Sequence, residues 1–314
     1  MSLSTCRITA EHFARLFQTR SESLDPRTVA ILDRIDSSHR APTHEEFQEY
    51  IHQYLKLLRS ETIRRDDKQN YEAWLRGWTE NLEAIKQAGV SEESLRPRYF
   101  RPAKFLRLDR SVIVSPNPLL EYDLFVAART HLFLKHLSSY DTIYEIGCGS
   151  CGNVWLLSQL FPGKTIIGLD WVQPSADIAN LIGTTLQRKV YGGILNMLEP
   201  AAPLDLPPNS ALITIHAMEQ IGIRHGPLID CMLASRPAFV LHLEPILDFY
   251  DPCLLLDDLA LWYCQKRQYL EGFLPALRAR EKEGRIAIEE AYRPCLGGVW
   301  HEMSVVTWKP GRKS

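Results

Sequence analysis

The chain has 314 residues, 36 Lys and Arg against 38 Asp and Glu, and a net charge of −2, so it can bury a sizeable core and is close to neutral. That balance excludes a protein whose main work is to coat nucleic acid or an anionic membrane. It has no run of 18 apolar residues, and its seven scattered cysteines make neither a paired zinc spacing nor a secreted disulfide framework. The opening MSLSTCRITAEHFARLF shows neither a charged leader nor an apolar signal core, and a soluble cytoplasmic protein is expected.

To about residue 115 the pattern is helical, with no convincing strand. Thr43 and Glu46 have capping-box spacing, and Phe47, Tyr50, Tyr54, Leu57 and Leu58 then share a helical face. Tyr71, Trp74, Leu75, Trp78, Leu82 and Ile85 recur at the same period up to Gly89, a C-cap, and such a stripe is expected to pack in the core. Residues 96–110, RPRYFRPAKFLRLDR, hold six Lys or Arg with Tyr99, Phe100 and Phe105 between them. We expect a solvated, proline-broken linker there; the alternatives are a patch for phosphate or carboxylate on a substrate, or for RNA. SPNPLLEYDLF, from Ser115, marks a boundary between a helical region, 1–115, and a second domain, 116–314, which opens on an amphipathic helix to about Leu137.

Strands then alternate with helices. Strands are expected at 142–146, 165–170, 189–193, 211–216 and 238–244, with helices at 151–161, from a Ser175 cap to 186, and from Pro227. A helical insertion covers 254–283. Strands at 285–292 and 301–308, joined by a short turn at Gly297 and Gly298, must run antiparallel. The alternation implies an α/β fold with a mostly parallel sheet covered by helices on both faces.

The stretch YEIGCGSCGNVW, 144–155, places Gly147, Gly149 and Gly152 at dinucleotide-fingerprint spacing, and Asp170 ends the next strand, where it can grip a ribose. Dinucleotide and adenosyl cofactors both suit those features. Glu145 separates them, because a carboxylate just before the glycines repels a pyrophosphate and suits a cationic group. Cys148 and Cys151 could form a redox pair, but they stand within the glycine turn, where small residues are wanted for packing.

YEIGCGSCGN, GLDWVQPSADIAN, VYGGILNM, LITIHAMEQI and FVLHLEP, in that order, resemble the class I S-adenosylmethionine-dependent methyltransferases over about residues 120–308. The resemblance implies a Rossmann-like seven-stranded sheet with an antiparallel last strand, and S-adenosyl-L-methionine as cofactor. It implies that Gly147 and Gly149 admit the cofactor, Glu145 holds its amino end, Asp170 its ribose, and Trp171 stacks on its adenine. Two departures stand out: Cys151 replaces the third glycine, and Gly193 the acid often found after the third strand. The Ile194 backbone and Asn196 are left to meet the adenine.

On the acceptor side three His/Glu pairs are expected at the carboxyl edge of the sheet: His216 with Glu219, His242 with Glu244, and His301 with Glu302. His216, Glu219 and His301 are the candidates for catalysis as proton acceptor and its partners, with His216 bordering the cofactor as well. A divalent metal held by His216, His242, Glu244, His301 and Glu302 is an alternative, and a hydrogen-bonded core position is another, above all for His242. The expected activity is methyl transfer to an oxygen, or a nitrogen, of a small molecule. Its rivals are an RNA methyltransferase using 96–110 and a non-catalytic binding module. The helical first region and the 254–283 insertion would form a lid, and could also build a homodimer interface.

Overall fold

A computed structural model describes residues 4–60, 66–97 and 100–311. Arg98 and Tyr99 of the basic stretch lie outside the described residues. The N-terminal helices begin where side chains can satisfy free backbone N–H groups. Thr9 caps α1 (Ala10–Leu16), and Asp25 with Pro26 opens α2 (Pro26–Arg34). Full capping boxes, Thr43 with Glu46 and Asp66 with Gln69, start α3 (His44–Leu58) and α4 (Asp67–Ala88). Gly89 ends α4 at a φ of +83°.

The strand-free expectation for this region fails at a hairpin, β1 (Phe105–Leu108) and β2 (Ser111–Val114). Asp109 and Arg110 turn it with φ of 51° and 62°, the left-handed pair of a tight two-residue connection. The two strands are four residues long and lie inside a run of cations, which hides their pattern.

Next come α5 (Leu120–Leu137), β3 (Thr142–Ile146), α6 (Gly152–Leu160), β4 (Thr165–Asp170), α7 (Gln173–Leu186) and β5 (Val190–Ile194). They lead to β6 (Ser210–Ile215), α8 (Gly226–Ser235) and β7 (Phe239–Glu244). Helix α7 starts at Gln173 with Pro174 in its first turn, so Ser175 lies inside the helix and does not cap it. The 254–283 insertion is two helices, α9 (Leu255–Arg267) and α10 (Phe273–Lys282), parted at the left-handed residues Gln268 and Gly272.

The chain closes with β8 (Ile286–Tyr292), β9 (Leu296–Gly297) and β10 (Ser304–Pro310). The seven-stranded sheet has the order β5-β4-β3-β6-β7-β10-β8, and only β10 runs against its neighbours. The β8–β10 link is longer than a simple glycine turn. It detours through β9, which pairs with β1 and makes the second sheet, β2-β1-β9.

β3, β6 and β7 are buried along their whole length because helices cover both faces of the sheet. Phe13, Phe17 and Leu32 of the first helices join the same buried cluster as Leu132, Ile143 and Ile178. Among the described residues no helix is long and apolar enough to cross a membrane.

Candidate active site

The chain leaves β3 toward β4 on one side and returns to β6 on the other, which opens a crevice beyond the carboxyl ends of these strands. A cavity of about 920 Å³ lies there, roofed by α4 and by the loop between β9 and β10. That volume suits a cofactor together with a small acceptor.

At one end Gly147 takes a φ of +78°, and a Cβ on it would stand 2.4 Å from the Cβ of Ala217. Glu145, fully buried at the end of β3, accepts a hydrogen bond from Asn153 at 2.6 Å through Oε1, and Asn153 in turn accepts one from Arg129 at 2.7 Å. Glu145 Oε2 is buried with no partner. Burial pushes this carboxyl up to about 8, against the pull of Asn153 and Arg129. Asp170 accepts from the Gly149 N–H at 2.9 Å and the Val172 N–H at 3.3 Å, yet burial still raises it to about 6.

Trp171 lines the cavity and meets the edge of Tyr71 with ring centroids 5.4 Å apart. The aromatic stripe of α4 is therefore only partly core. Trp78, Leu82 and Ile85 are buried, whereas Tyr71 and Leu75 are 41% and 37% exposed, and Trp74 stacks on Trp78 at 5.3 Å, both facing the cavity.

The Ile194 side chain is exposed on edge strand β5, and Leu195 and Asn196 line the cavity. Cys148 and Cys151 stand with their sulfurs 3.6 Å apart, both buried, and burial together with their mutual contact raises the Cys148 thiol. Inert packing, not redox chemistry, follows from that environment.

At the other end His216 leaves β6 in a left-handed conformation, φ 50°, a strained position for a side chain of this size. The turn is pinned from below. Glu244 Oε1 accepts the N–H groups of Ala217 and Met218 at 3.1 and 3.2 Å. His216 Nδ1 faces Glu219 Oε2 at 3.3 Å, its ring stacks on Phe125, and its Nε2 is buried without a partner. Burial works to lower the imidazole, but the hydrogen bond and charge of Glu219 outweigh it and hold His216 above its ordinary value. His301 joins them, with its ring centroid 6.1 Å from that of His216, and burial lowers it to about 4, so it is neutral.

The other members of the expected cluster are elsewhere. His242 is a core residue, bonded to Thr214 Oγ1 at 2.8 Å and to the Trp308 indole at 2.9 Å, and burial lowers it to about 3. Glu244 supports the turn, and Glu302 pairs with Arg293 at 3.3 Å beneath the loop. His216, His242, Glu244, His301 and Glu302 therefore do not come together, and among the described residues no group of three or more His, Cys, Asp or Glu could hold a metal. The sequence reading missed Glu121, Asn153 and Arg129, all lining the cavity. For Asn153 the signal was its place just after Gly152; Glu121 and Arg129 had none beyond their spacing on α5.

Among the described cations of the basic stretch, Arg107 is buried while Arg101, Lys104 and Arg110 are exposed. Arg107 is fully buried, donating to Tyr50 Oη, Tyr54 Oη and the Leu256 carbonyl at 3.1, 3.3 and 2.8 Å. Tyr50 and Tyr54 donate onward to the carbonyls of Val299 and Trp300, beside His301. Lys104 pairs with Glu49 at 2.9 Å, and Arg96 lies over the Tyr122 ring.

No protein-family model matches this sequence, and no curated protein does. Solved structures overlap it modestly. A geranyl diphosphate methyltransferase in complex with SAM covers 62% of this chain and 92% of its own at 13% identity, with a TM-score of 0.45. The O-methyltransferase from a trans-AT PKS multienzyme of Brevibacillus brevis, in complex with S-adenosyl-L-homocysteine, covers 62% and 74% at 12% identity and 0.45. An O-methyltransferase from neocarzinostatin biosynthesis, bound to S-adenosylmethionine and 2-hydroxy-5-methyl naphthoic acid, covers 76% and 68% at 14% identity and 0.41. Overlap at this level decides neither cofactor nor acceptor, and the chemistry of the site has to carry both.

Proposed function

We propose that the protein is an S-adenosylmethionine-dependent methyltransferase acting on an oxygen, or a nitrogen, of a small molecule. The observation that carries this reading is Glu145. A fully buried carboxylate with one oxygen lacking any partner, set beside a glycine turn that leaves no room for a Cβ, suits a cofactor that brings a cation to that point. A pyrophosphate would be repelled there. Asp170 and Trp171, at the end of β4 and lining the same cavity, fit a ribose and an adenine.

S-adenosylmethionine, when bound, supplies a methyl group already activated by its sulfonium, so the protein has mainly to align the partners and manage one proton. His216 is suited to take that proton at Nε2. Glu219 would hold the Nδ1–H and stabilise the imidazolium that forms, while His301, neutral and adjacent, offers a further hydrogen bond. Gly147 and Gly149 would admit the cofactor, with Leu195 and Asn196 bordering its adenine. We assign residues 1–115, with α9 and α10, to a lid over the cavity and residues 116–314 to the cofactor-binding domain.

The test is a labelled-methyl transfer screen over metabolite extracts, with and without RNA, beside calorimetry with S-adenosyl-L-homocysteine and with nicotinamide dinucleotides. Binding of a dinucleotide and none of S-adenosyl-L-homocysteine would overturn the cofactor. Labelling of RNA alone would overturn the acceptor class.

A further inference from the structure

Glu121 lines the cavity from the first turn of α5, one turn before Phe125, whose ring stacks on His216. It has no hydrogen bond and no ion pair among the described residues, although the charge of His216 acts on it. Gly298 makes room for it. A Cβ on Gly298 would fall 2.3 Å from Glu121 Oε1 and 3.1 Å from Oε2, so the carboxyl packs directly against the glycine backbone.

Most other charged groups of the cavity are engaged, in part by neutral groups: Arg129 donates to the Phe125 carbonyl and to Asn153, and Arg267 to Tyr269. Arg101, Arg129 and Arg267 each have partners, and Lys104 is paired with Glu49. Asp67 is paired with Arg224, Glu219 with His216, and Asp170 takes backbone N–H groups. Glu145 is reserved for the cofactor's ammonium in the reading above. Glu92, also without a bonded partner, is exposed to solvent. Glu121 is thus the enclosed carboxyl of the acceptor side without a bonded partner, and burial raises it to about 7 against the pull of His216. Phe125, Tyr263 and Trp300 line the same cavity and add apolar surface for a ring-bearing acceptor.

We propose that Glu121 is the specificity-determining residue of the acceptor site, and that the acceptor carries a cationic amine which this carboxylate takes while the group to be methylated faces His216. The proposal rests on the methyltransferase reading. It restricts the substrate class to amine-bearing acceptors and places their ammonium between α5 and the Gly298 loop.

The experiment uses the whole chain with and without S-adenosyl-L-homocysteine, titrated with 2-phenylethylamine, 2-phenylethanol and phenylacetate, three probes that share a ring and differ in the end group. The amine is expected to bind about tenfold tighter than either of the others, the order of one charge-assisted hydrogen bond. Glu121→Gln keeps the shape and should erase that preference while S-adenosyl-L-homocysteine affinity stays at the wild-type value. Phenylacetate binding as well as the amine, no amine binding at millimolar concentration, or a preference that survives in Glu121→Gln overturns the proposal. A wild-type chain that fails to bind S-adenosyl-L-homocysteine overturns the cofactor reading instead, and the titrations without it keep the two failures apart.

Discussion

A Cβ placed on Gly149 would stand 2.9 Å from Cζ2 of Trp78, so the indole that helix α4 projects packs directly on the backbone of the glycine turn. Gly149 also holds a φ of +52°, where a side chain costs about 1 kcal/mol before any clash is counted. Gly149→Ala should therefore displace the turn or the indole and weaken S-adenosyl-L-homocysteine binding by about tenfold or more by calorimetry. Adding Trp78→Phe should recover part of the loss, because the two changes act on one contact and do not add. Unchanged affinity in a folded Gly149→Ala chain would show that the turn does not touch the cofactor.

Glu145 gives a proton signature. Burial holds its carboxyl at about 8, so it is largely protonated at neutral pH in the free chain. A cofactor ammonium beside it favours the carboxylate, lowers that value, and drives the proton out. Binding at neutral pH is expected to release a large fraction of one proton, read from calorimetry in buffers of different ionisation enthalpy. Glu145→Gln should abolish the release and weaken binding by about 1.5–3 kcal/mol. Proton uptake on binding would rule out this role.

The His216–Glu219 pair sets the pH dependence. A base must be neutral to work, and Glu219 holds His216 above its ordinary 6.5 despite burial. kcat/KM should accordingly be low in acid and rise through a single ionisation above 6.5, reaching a plateau on the alkaline side. Glu219→Gln removes the raising partner, so the rise should move to lower pH while the plateau falls. His216→Ala should lower turnover by about 10²-fold and leave S-adenosyl-L-homocysteine affinity intact. A profile that is flat through neutrality, with His216→Ala fully active, would assign catalysis to positioning alone.

Arg107 braces the roof of the site through Tyr50 and Tyr54. Replacing it by Leu leaves two buried hydroxyls without their donor and deprives the Glu302 carboxylate of a second cation beside Arg293, and should cost about 3–5 kcal/mol in urea unfolding. Tyr54→Phe removes the link to the Trp300 carbonyl and one weak bond from Arg107, which keeps Tyr50 and the Leu256 carbonyl, and should cost about 1 kcal/mol. Equal costs for the two would mean that the brace is not organised around the arginine.

The sequence by itself determined the α/β rhythm, because each strand from Thr142 to Glu244 is a short apolar run bounded by turns and each intervening helix repeats at its own period. It also determined the Glu145, glycine and Asp170 arrangement, since those residues are fixed by their positions along a single strand–turn–helix–strand unit. The β1–β2 hairpin was illegible because four-residue strands within a run of cations carry no period, and Arg107 looks like a surface residue until Tyr50 and Tyr54 are seen to close over it. The tertiary structure alone sorted the histidines. His242 pairs in register with Val306 inside a sheet covered on both faces, whereas His216 follows the last residue of its strand and His301 precedes the first of its own by three, a short offset that decides between core and cavity. Glu121 was invisible for a related reason: on its own helix it is an ordinary first-turn acid, and only the fold sets its carboxyl against Gly298, far away in the chain, at the cavity wall.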